Sequence, residues 1–383
     1  MKKTLIAFAA LTAIAGIAQA QSTVTIYGLV DANIKSFKSN VVAANGTIQQ
    51  VTQTGIDSGG LNGSRWGIRI NEDLGGGLSA VANLESGFDI STGQTQQDQT
   101  SATGVKTQSL FGRRANVGVT SSSFGTVTLG RNSTSYDDVS ADHAMMGSTL
   151  FDPSYQFASS ISPATLATPT TPAGIATLIS RPAAWVGYNQ RFNNSIKYIS
   201  PNFSGFSGSA TYGFGEDKTT STDASKSVSA NLKYANGPLI VSGGYQSEGF
   251  ARPVGTGLKP ALENTLLSVA YDLGVAKVGA GFNRAKFKDA SATSSPTQKE
   301  YSLSVAVPLG ATTLSAGYAQ SKGDVLGKSS GFGVQALYSL SKRTTLYAGA
   351  QNIKAYSNVV AAAPVNSNVG RSMLYAAGVR HTF

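Results

Sequence analysis

Segments of about ten residues in which apolar and polar side chains alternate recur along the whole chain. In "SRWGIRI", Trp66, Ile68 and Ile70 share one face, whereas Arg65 and Arg69 share the opposite face. The same period of two runs through "GLSAVANLESGFDI" and "YSLSVAVPL". Because successive side chains of a β-strand point to opposite faces of a sheet, this period predicts strands with one apolar face and one polar face.

The connections between these segments fall into two length classes that alternate along the chain. The short connections are "NEDLGGG", "SSSFG", "SPNFSG", "YANGP", "YDLG", "PLGA" and "LSKRT". The long, polar connections occupy about 37–60, 90–106, 132–182, 217–225, 249–262, 288–298, 322–330 and 355–370. Seven short turns and eight long loops join sixteen strands. This asymmetry is typical of an all-β, transmembrane antiparallel β-barrel with short periplasmic turns and long extracellular loops.

A soluble β-sandwich would show the same alternation, with its apolar face inside and its polar face outside. In a membrane the sheet must close into a ring, because lipid offers no hydrogen-bond partner to a free edge. A ring of sixteen strands is too wide for side chains to fill, so its polar face meets water inside the ring. The two loop classes, an export signal and the aromatic residue at the end of the last strand together favour the barrel over the sandwich.

The first twenty residues, "MKKTLIAFAALTAIAGIAQA", have the pattern of a secretory signal peptide. Two lysines precede an apolar stretch from Leu5 to Ile17, and Ala18-Gln19-Ala20 forms a small-x-small cleavage site. We expect residues 21–383 to form one barrel domain, since no Pro-rich, Gly/Ser-only or like-charged block divides them. The alternative, a retained anchor helix, is shorter than a membrane span requires. The chain contains no cysteine, which excludes a disulfide framework.

Several longer motifs spread over nearly the whole mature chain resemble the trimeric general porins of Gram-negative bacteria, particularly the beta-proteobacterial branch. They are "STVTIYGLVDANI", "LNGSRWGIRINEDLGGGLSAVANLESGF", "LFGRRANVGVTSSSFGTVTLGRN", "NNSIKYISPNFSGFSGSATYGFG" and "GVRHTF". The resemblance implies an outer-membrane diffusion channel for small hydrophilic solutes and ions. It also implies a homotrimer whose wall contacts outer-membrane lipid and lipopolysaccharide, and a third extracellular loop that folds inward to narrow the pore. The longest connection, 132–181, is the candidate constriction loop.

The resemblance further implies a ladder of basic side chains on the pore wall. By motif position, Arg65 matches the first wall arginine, Arg69 lies two residues along on the same polar face, and Arg191 in "RFNNSIKY" matches another. In "GRRANVGV" the family pattern selects Arg113, whereas alternation with outward valines selects Arg114, and both are retained as candidates. An arginine facing lipid at mid-membrane would cost about 2–4 kcal/mol, which favours positions that face the lumen.

Acidic side chains on the inward loop are expected to oppose these arginines in such a pore. The candidates are Asp137, Asp138 and Asp142, which are assigned only by their segment, "SYDDVSADHAMMGSTLFDP". This segment departs from the compact acidic signature of the enterobacterial relatives, and ordinary loop solubility is the alternative explanation of its acids. The resemblance also makes Phe383, at the end of the last strand, the assembly signal read by the barrel-assembly machinery.

The charge of the chain predicts which solutes such a pore prefers. Without Lys2 and Lys3 of the leader, 28 basic and 20 acidic residues remain, a net charge of +8. Like charges in a narrow, low-dielectric passage enrich counter-ions, so we expect a preference for anions. A barrel that acts as an adhesin or binding platform through its long loops is the alternative function.

Enzymatic and nucleic-acid functions find little support in the sequence. The two histidines, His143 and His381, are far apart, and no G-x-S-x-G, H-E-x-x-H or P-loop motif is present. No basic run exceeds Arg113-Arg114, and export argues against a nucleic-acid partner. The sequence therefore predicts no catalytic residue, cofactor or metal.

Overall fold

The structure is a computed structural model that describes residues 22–96, 99–100, 106–107, 109–155, 184–216, 218–250, 252–255, 257, 259–289, 295–324, 326–358 and 368–383. The expected signal peptide, residues 1–20, lies outside the described residues. So do residues 156–181 of the candidate constriction loop. No α-helix occurs in the described residues, and none of their segments is a helix long and apolar enough to cross a membrane.

The described part of the chain folds into strands. They are β1 Thr23–Val42, β2 Ile48–Ser58, β3 Arg65–Gly75, β4 Leu78–Phe88, β5 Thr95–Gln96, β6 Gln99–Thr100, β7 Lys106–Thr107, β8 Arg114–Ser121, β9 Gly125–Ser133, β10 Arg191–Ile199, β11 Phe206–Gly213, β12 Thr222–Asp223, β13 Ser227–Asn236, β14 Leu239–Gly249, β15 Arg252–Pro253, β16 Ala261–Asp272, β17 Lys277–Lys288, β18 Thr297–Leu309, β19 Thr312–Gly323, β20 Gly327–Ser339, β21 Thr344–Lys354 and β22 Asn368–Thr382.

The long strands close into the expected 16-stranded antiparallel barrel. The segments β2 and β3 occupy one position in the wall, because both run antiparallel to β1, one along Ala32–Val42 and the other along Thr23–Leu29. The last strand, β22, pairs with β1 from Leu29↔Thr382 upward. Gly28 and Phe383 exchange two backbone hydrogen bonds of 3.1 and 3.0 Å. The ring therefore has no free edge between its first and last strands.

Short turns and long loops lie at opposite ends of the barrel, as the sequence predicts. In the turn between β3 and β4, Gly75, Gly76 and Gly77 all have positive φ angles, of 81°, 62° and 77°. Only glycine adopts three such conformations in succession without strain. This composition explains why the chain reverses so tightly at "NEDLGGG".

The first expected loop, 37–60, is mostly strand, and this part of the sequence interpretation was wrong. Strands β1 and β2 pair as far as Val42↔Ile48, so the loop between them is only 43–47. Apolar–polar alternation marks a strand only where one face meets lipid or a dry core. Above the lipid band both faces of a hairpin meet water, so its polar sequence resembles that of a loop.

The outer and inner faces of the wall have the polarity expected for a membrane barrel. Outward side chains such as Val24, Ile26 and Leu303 are 65%, 68% and 65% exposed. Inward positions on the same strands carry buried polar groups, including Asn33 and Ser302. An exposed apolar surface around a polar interior is the reverse of a soluble fold, and it fits a wall that separates lipid from water.

The connection between β9 and β10 runs inside the barrel, as expected of the third extracellular loop. It comprises residues 134–190, of which 134–155 and 184–190 are described. The described part, here called the inward segment, contains four aromatic side chains that are almost fully buried: Tyr136, Phe151, Trp185 and Tyr188. Apolar residues of the sequence "AMMGSTLFDP" thus pack against the inner wall, as their composition suggests.

Glycines on the inner wall let the inward segment approach the backbone of the strands. A Cβ atom at Gly279 of β17 would overlap the carbonyl oxygen of His143, and one at Gly333 of β20 would overlap that of Phe151. At Gly349 of β21 it would lie 2.7 Å from the Phe151 ring. These three positions form a glycine track, and the inward segment occupies the space that side chains would otherwise fill.

Candidate pore constriction

Four of the arginines singled out in the sequence come together on one side of the lumen. Arg65 lies at the start of β3, Arg114 at the start of β8, Arg113 immediately before it, and Arg191 at the start of β10. The positive charges of Arg113, Arg191 and Arg114 all act on Arg65. These four residues are here called the arginine cluster. Arg191 is opposite Ser133 in the sheet register, so it lies at the level where the inward segment leaves the wall.

The choice between Arg113 and Arg114 has a geometric answer that alternation alone does not provide. Arg114 is opposite Glu85 of β4 in the sheet register, so it shares the inward face of that carboxylate. Arg113 precedes the strand, so the alternation of inward and outward side chains does not apply to it. Its Nε donates a hydrogen bond of 2.5 Å to Glu85 Oε1. Both side chains therefore belong to the cluster.

Glu85 is a site residue that the sequence interpretation missed. The residue is 6% exposed, and its carboxylate is ion-paired to Arg113 and accepts a 2.9 Å hydrogen bond from the hydroxyl of Tyr27. The polar face of "GLSAVANLESGF" contains this residue, so the alternation placed it in the lumen without indicating a partner. The arginine cluster thus has one directly paired carboxylate for its four guanidinium groups among the contacts that the structure describes.

Arg69 does not join the arginine cluster. It lies four residues further along β3, towards the end with the short turns, and is exposed. Its guanidinium carbon sits 4.7 Å from the centre of the Tyr27 ring, a distance typical of a cation–π contact. Arg69 therefore lies on the inner wall below the narrow region rather than within it.

Two acids of the inward segment face lysines of the wall rather than the arginine cluster. Asp138 Oδ2 pairs with Lys197 Nζ of β10 at 2.6 Å and accepts a 3.0 Å hydrogen bond from Ser209. Asp142 Oδ1 pairs with Lys233 Nζ of β13 at 2.9 Å. These ion pairs attach the inward segment to the wall and neutralise both carboxylates.

Asp137 is held differently, because it forms no ion pair with a lysine in the described structure. Its Oδ1 accepts a 2.6 Å hydrogen bond from the hydroxyl of Tyr188, on the returning limb of the inward segment. Burial raises the pKa of Asp137, and the positive charge of Arg191 opposes the rise. Asp137 is therefore the loop acid whose charge acts on the arginine cluster, through Arg191.

A buried aspartate supports the inward segment from the opposite wall, and no pattern in the sequence predicted it. Asp31 of β1 accepts hydrogen bonds from the backbone N–H groups of Gly60 at 3.1 Å and Leu61 at 2.8 Å, and the hydroxyl of Tyr347 also donates to it. The carbonyl of Gly60 in turn accepts a 2.9 Å hydrogen bond from the backbone N–H of Leu150. Asp31 thus shapes the break between β2 and β3, onto which the inward segment docks.

The returning limb of the inward segment is held by two carboxylates of the far wall. Glu300 of β18 accepts a 2.6 Å hydrogen bond from the backbone N–H of Val186, and Glu248 of β14 accepts one of 3.1 Å from that of Asn189. The hydroxyl group of Ser329 donates to the carbonyl of Ala184. Anchors at both limbs give the inward segment a fixed position across the lumen.

A closed barrel, a third loop folded into it and clustered arginines at the narrow level describe a pore rather than a catalytic cleft. The model of the Gram-negative porin family matches residues 7–357 of the chain. The chain belongs to the Gram-negative porin family. This porin is 31% identical over 354 residues to Outer membrane porin protein 32 of Delftia acidovorans, covering 91% of this chain and 88% of the relative.

Other relatives agree with this assignment. An outer membrane porin protein of Bordetella pertussis is 30% identical over 301 residues, covering 74% of this porin and 69% of the relative. Among solved structures, the anion-selective porin from Comamonas acidovorans superposes with a TM-score of 0.72 at 26% identity, covering 95% and 100% of the two chains. OmpT, an outer membrane protein of Vibrio cholerae, superposes with a TM-score of 0.60 at 17% identity and shares the fold.

Family membership, together with the closed barrel, confirms the expected location and class of function. This porin is a Gram-negative outer-membrane protein and forms a channel, and it is not an enzyme. The resemblance to beta-proteobacterial porins is likewise confirmed. No group of three or more His, Cys, Asp or Glu side chains in the described residues is arranged to hold a metal ion.

Proposed function

We propose that this porin admits small hydrophilic solutes and prefers anions, because the arginine cluster dominates the charge of its narrow region. Arg65, Arg113, Arg114 and Arg191 stand together, whereas Asp138 and Asp142 of the inward segment are each paired to a lysine of the wall. The Comamonas porin that superposes on this chain is described as anion-selective, which supports the proposal.

The physical basis of the preference is the field inside a narrow aqueous passage. Walls of low dielectric constant concentrate the field of fixed charges and raise the local concentration of counter-ions. Rings or clusters of arginine and lysine select anions in this way. Glu85 and Asp137 offset part of the arginine charge, so we expect a moderate preference rather than exclusion of cations.

Substitution of Arg65→Glu and Arg191→Glu tests the proposal directly. The double substitution changes the local charge by four units, so we expect the anion preference to fall or reverse. Folding should change little, since both positions meet water in the lumen. The measurement is the reversal potential of single channels in a planar bilayer under a potassium chloride gradient.

A matched control replaces Lys342 and Arg343 with glutamate. These exposed residues lie in the short turn between β20 and β21, away from the arginine cluster, and the charge change is the same. We expect a much smaller shift of the reversal potential in this variant. Equal shifts in both variants would show that overall charge, not the arginine cluster, sets selectivity. A folded protein that opens no channel would favour the binding-platform alternative.

The assembly of the porin is proposed from the family resemblance. We expect a homotrimer, with the outer wall in contact with outer-membrane lipid and lipopolysaccharide, and insertion that depends on recognition of Phe383 by the barrel-assembly machinery. Conductance steps that occur in threes, and a cross-linked species of three chains, would support the trimer.

A further inference from the structure

One arginine that was not among those singled out in the sequence lies between the two chain segments that carry the arginine cluster. Arg131 belongs to β9, which pairs with β8 on one side and with β10 on the other. Arg113 and Arg114 lie at the entry to β8, and β10 begins with Arg191. Arg131 is therefore placed between the two halves of the cluster.

The guanidinium group of Arg131 contacts both segments. Its Nε donates a 2.7 Å hydrogen bond to the carbonyl of Gly112, the residue immediately before Arg113. Its Nη1 donates to Oδ1 of Asn193, two residues after Arg191. Arginine presents its N–H donors in one rigid plane, so a single side chain fixes the separation of two acceptors. These two contacts are here called the Arg131 bridge.

Both ends of the Arg131 bridge lie where regular strand pairing is interrupted. Residues 109–113 precede β8 and lie outside the strands. On the other side, the register of the sheet shifts so that Asn193 and Asn194 of β10 face the single residue Arg131 of β9, and Asn194 has a positive φ of 43°. Bulges of this kind re-aim neighbouring side chains and are common beside functional sites. Side-chain contacts such as the Arg131 bridge therefore help to fix these two segments.

Strand β9 is itself irregular at this level. Gly130 has a φ of 122°, a conformation that only glycine adopts without strain. Beyond it, the buried Asn132 accepts a 2.9 Å hydrogen bond from Nδ2 of Asn116 on β8 and donates one of 3.1 Å to Oγ of Ser195 on β10. Two consecutive residues of β9, Arg131 and Asn132, thus tie the same three strands together.

The sheet register places Arg131 behind the arginine cluster rather than in the passage. Arg131 is opposite Ala115 of β8, which shares the outer face of the wall with the exposed Val117. The positive charge of Arg191 acts on Arg131. Like charges at close range repel, so this position is unfavourable unless the contacts of Arg131 offset the repulsion. The Arg131 bridge supplies such contacts.

We propose that Arg131 is a positioning residue of the pore, whose bridge holds the segments of Arg113 and Arg191 at a fixed separation and so sets the spacing of the arginine cluster. The inference rests on the anion preference proposed above, through which the spacing acts on solutes. Charges held close together enrich anions more than the same charges spread apart. By Coulomb's law in water, the effect is about twofold for one guanidinium group that moves from about 4 Å to about 8 Å from a passing anion.

Three substitutions separate the bridge from the charge of Arg131. Arg131→Lys keeps the positive charge but lacks the rigid plane of donors that spans both acceptors. Arg131→Gln removes the charge together with the bridge. Asn193→Ala removes one acceptor at an exposed position and leaves Arg131 charged. The chloride-to-potassium permeability ratio of each variant is obtained from the reversal potential of single channels, and the heat-dependent gel shift identifies folded barrels.

We expect all three variants to lower the permeability ratio by about twofold, with Arg131→Lys and Arg131→Gln alike. A ratio that Arg131→Lys preserves and Arg131→Gln lowers would show that the charge of Arg131 acts on solutes directly, and it would overturn the proposal. Wild-type ratios in all three folded variants would overturn it as well.

The combination of Arg131→Lys with Asn193→Ala tests whether the two residues act as one unit. The double variant should have the ratio of Arg131→Lys alone, since the bridge is already broken in that variant. A full additional fall would mean that the two residues act separately, which contradicts the proposal. The matched control is Arg284→Lys, at an exposed position of β17 away from the cluster, and it should keep the wild-type ratio.

A distance measurement tests the positioning role without any reference to selectivity. Because the chain contains no cysteine, spin labels can be attached to cysteines introduced at the exposed Leu110 and Ile196. We expect a narrow distance distribution in the wild type and in Arg284→Lys, and a broader one in Arg131→Lys. An unchanged distribution in Arg131→Lys would overturn the positioning role. Broadening in a porin whose wild type shows no anion preference would refute the proposed selectivity and leave the positioning role intact.

Discussion

At the scale of single residues, the charge of the lumen depends on which acids already have a basic partner. Asp138 and Asp142 are paired to lysines of the wall and contribute little net charge to the passage. Glu85 is the carboxylate that lies within the arginine cluster, paired to Arg113. Its negative charge therefore limits the attraction that the four arginines exert on anions.

Replacement of Glu85 by glutamine should strengthen the anion preference. Glutamine keeps the size of the side chain and can still accept a hydrogen bond from Arg113, but it removes the negative charge. The chloride-to-potassium permeability ratio, obtained from the reversal potential, should rise above the wild-type value. The control is Asp272→Asn, which also removes one acid, from an exposed ion pair with Lys277 in a short turn. A ratio that falls, or that rises equally in both variants, contradicts this account.

At the scale of elements, the inward segment holds its position because the wall has room for it. At the glycine track, the backbone of β17 and β20 contacts the carbonyl groups of the loop. Glycine inside a β-strand often marks such a close approach of another backbone. These contacts are as closely packed as a protein interior, where an added methyl group forces neighbouring atoms to move. The track and the loop therefore form one packed unit.

Substitution of Gly333→Ala should displace the inward segment near Phe151. The new methyl group would overlap the carbonyl oxygen of Phe151, and overpacking of this kind costs about 1–3 kcal/mol. We expect a larger single-channel conductance and a barrel that still folds. The matched control is Gly243→Ala on β14, where the nearest atom to the added Cβ lies 3.7 Å away. Unaltered conductance in Gly333→Ala would show that the loop does not narrow the pore at this point.

A fall in pH should weaken the docking of the inward segment on the wall, because His143 becomes protonated. This ring is buried against Trp185 at 5.1 Å, with its Nε2 3.3 Å from the hydroxyl of Ser154. Burial lowers the pKa of His143 from 6.5 to about 4. Between these values the undocked loop binds the proton and the docked loop does not, so docking is at full strength above pH 6.5 and weakens as the pH falls towards 4. The free energy of docking falls by at most about 3 kcal/mol.

The comparison of wild type with His143→Gln isolates this effect from other titrating groups. Burial raises the pKa of Asp152 in the same segment, and protonation of that carboxyl at low pH favours docking, with the opposite sign. In a Trp66→Phe background, Trp185 is the remaining tryptophan of the chain, and its fluorescence reports the docking of the segment. Below pH 6.5 the spectrum of the wild type should change more than that of His143→Gln. Identical pH profiles would exclude His143 as the cause.

At the scale of the whole molecule, the sequence predicts the features that follow from the membrane environment, namely the barrel and its strands. It does not predict which side chains far apart in the chain contact each other. The alternation around Trp66 and Ile68 follows from the lipid on one side of the wall, so the barrel and its strand number could be derived from it. The pairing of Asp138 with Lys197, 59 residues away, depends on how the inward segment lies against the wall. No local pattern records such a contact, which is why the acids were assigned only by their segment.

Closure of the ring leads to a prediction that separates a structural role of Phe383 from its proposed role as an assembly signal. The backbone of Phe383 exchanges two hydrogen bonds with Gly28, and its ring covers Gly28, where an added Cβ would lie 2.5 Å from the ring. Phe383→Ala keeps the backbone bonds and removes the ring, whereas deletion of Phe383 removes both. Folding into lipid vesicles without any machinery, followed by the heat-dependent gel shift of the barrel, should be nearly normal for Phe383→Ala and reduced for the deletion.

In cells, both variants should accumulate unassembled, because the insertion machinery is expected to read the aromatic ring. Normal assembly of Phe383→Ala in cells would refute the signal role. Failure of that variant in vesicles as well would assign the ring to closure of the barrel. The two measurements together thus decide whether the terminal aromatic residue serves the finished ring, its insertion, or both.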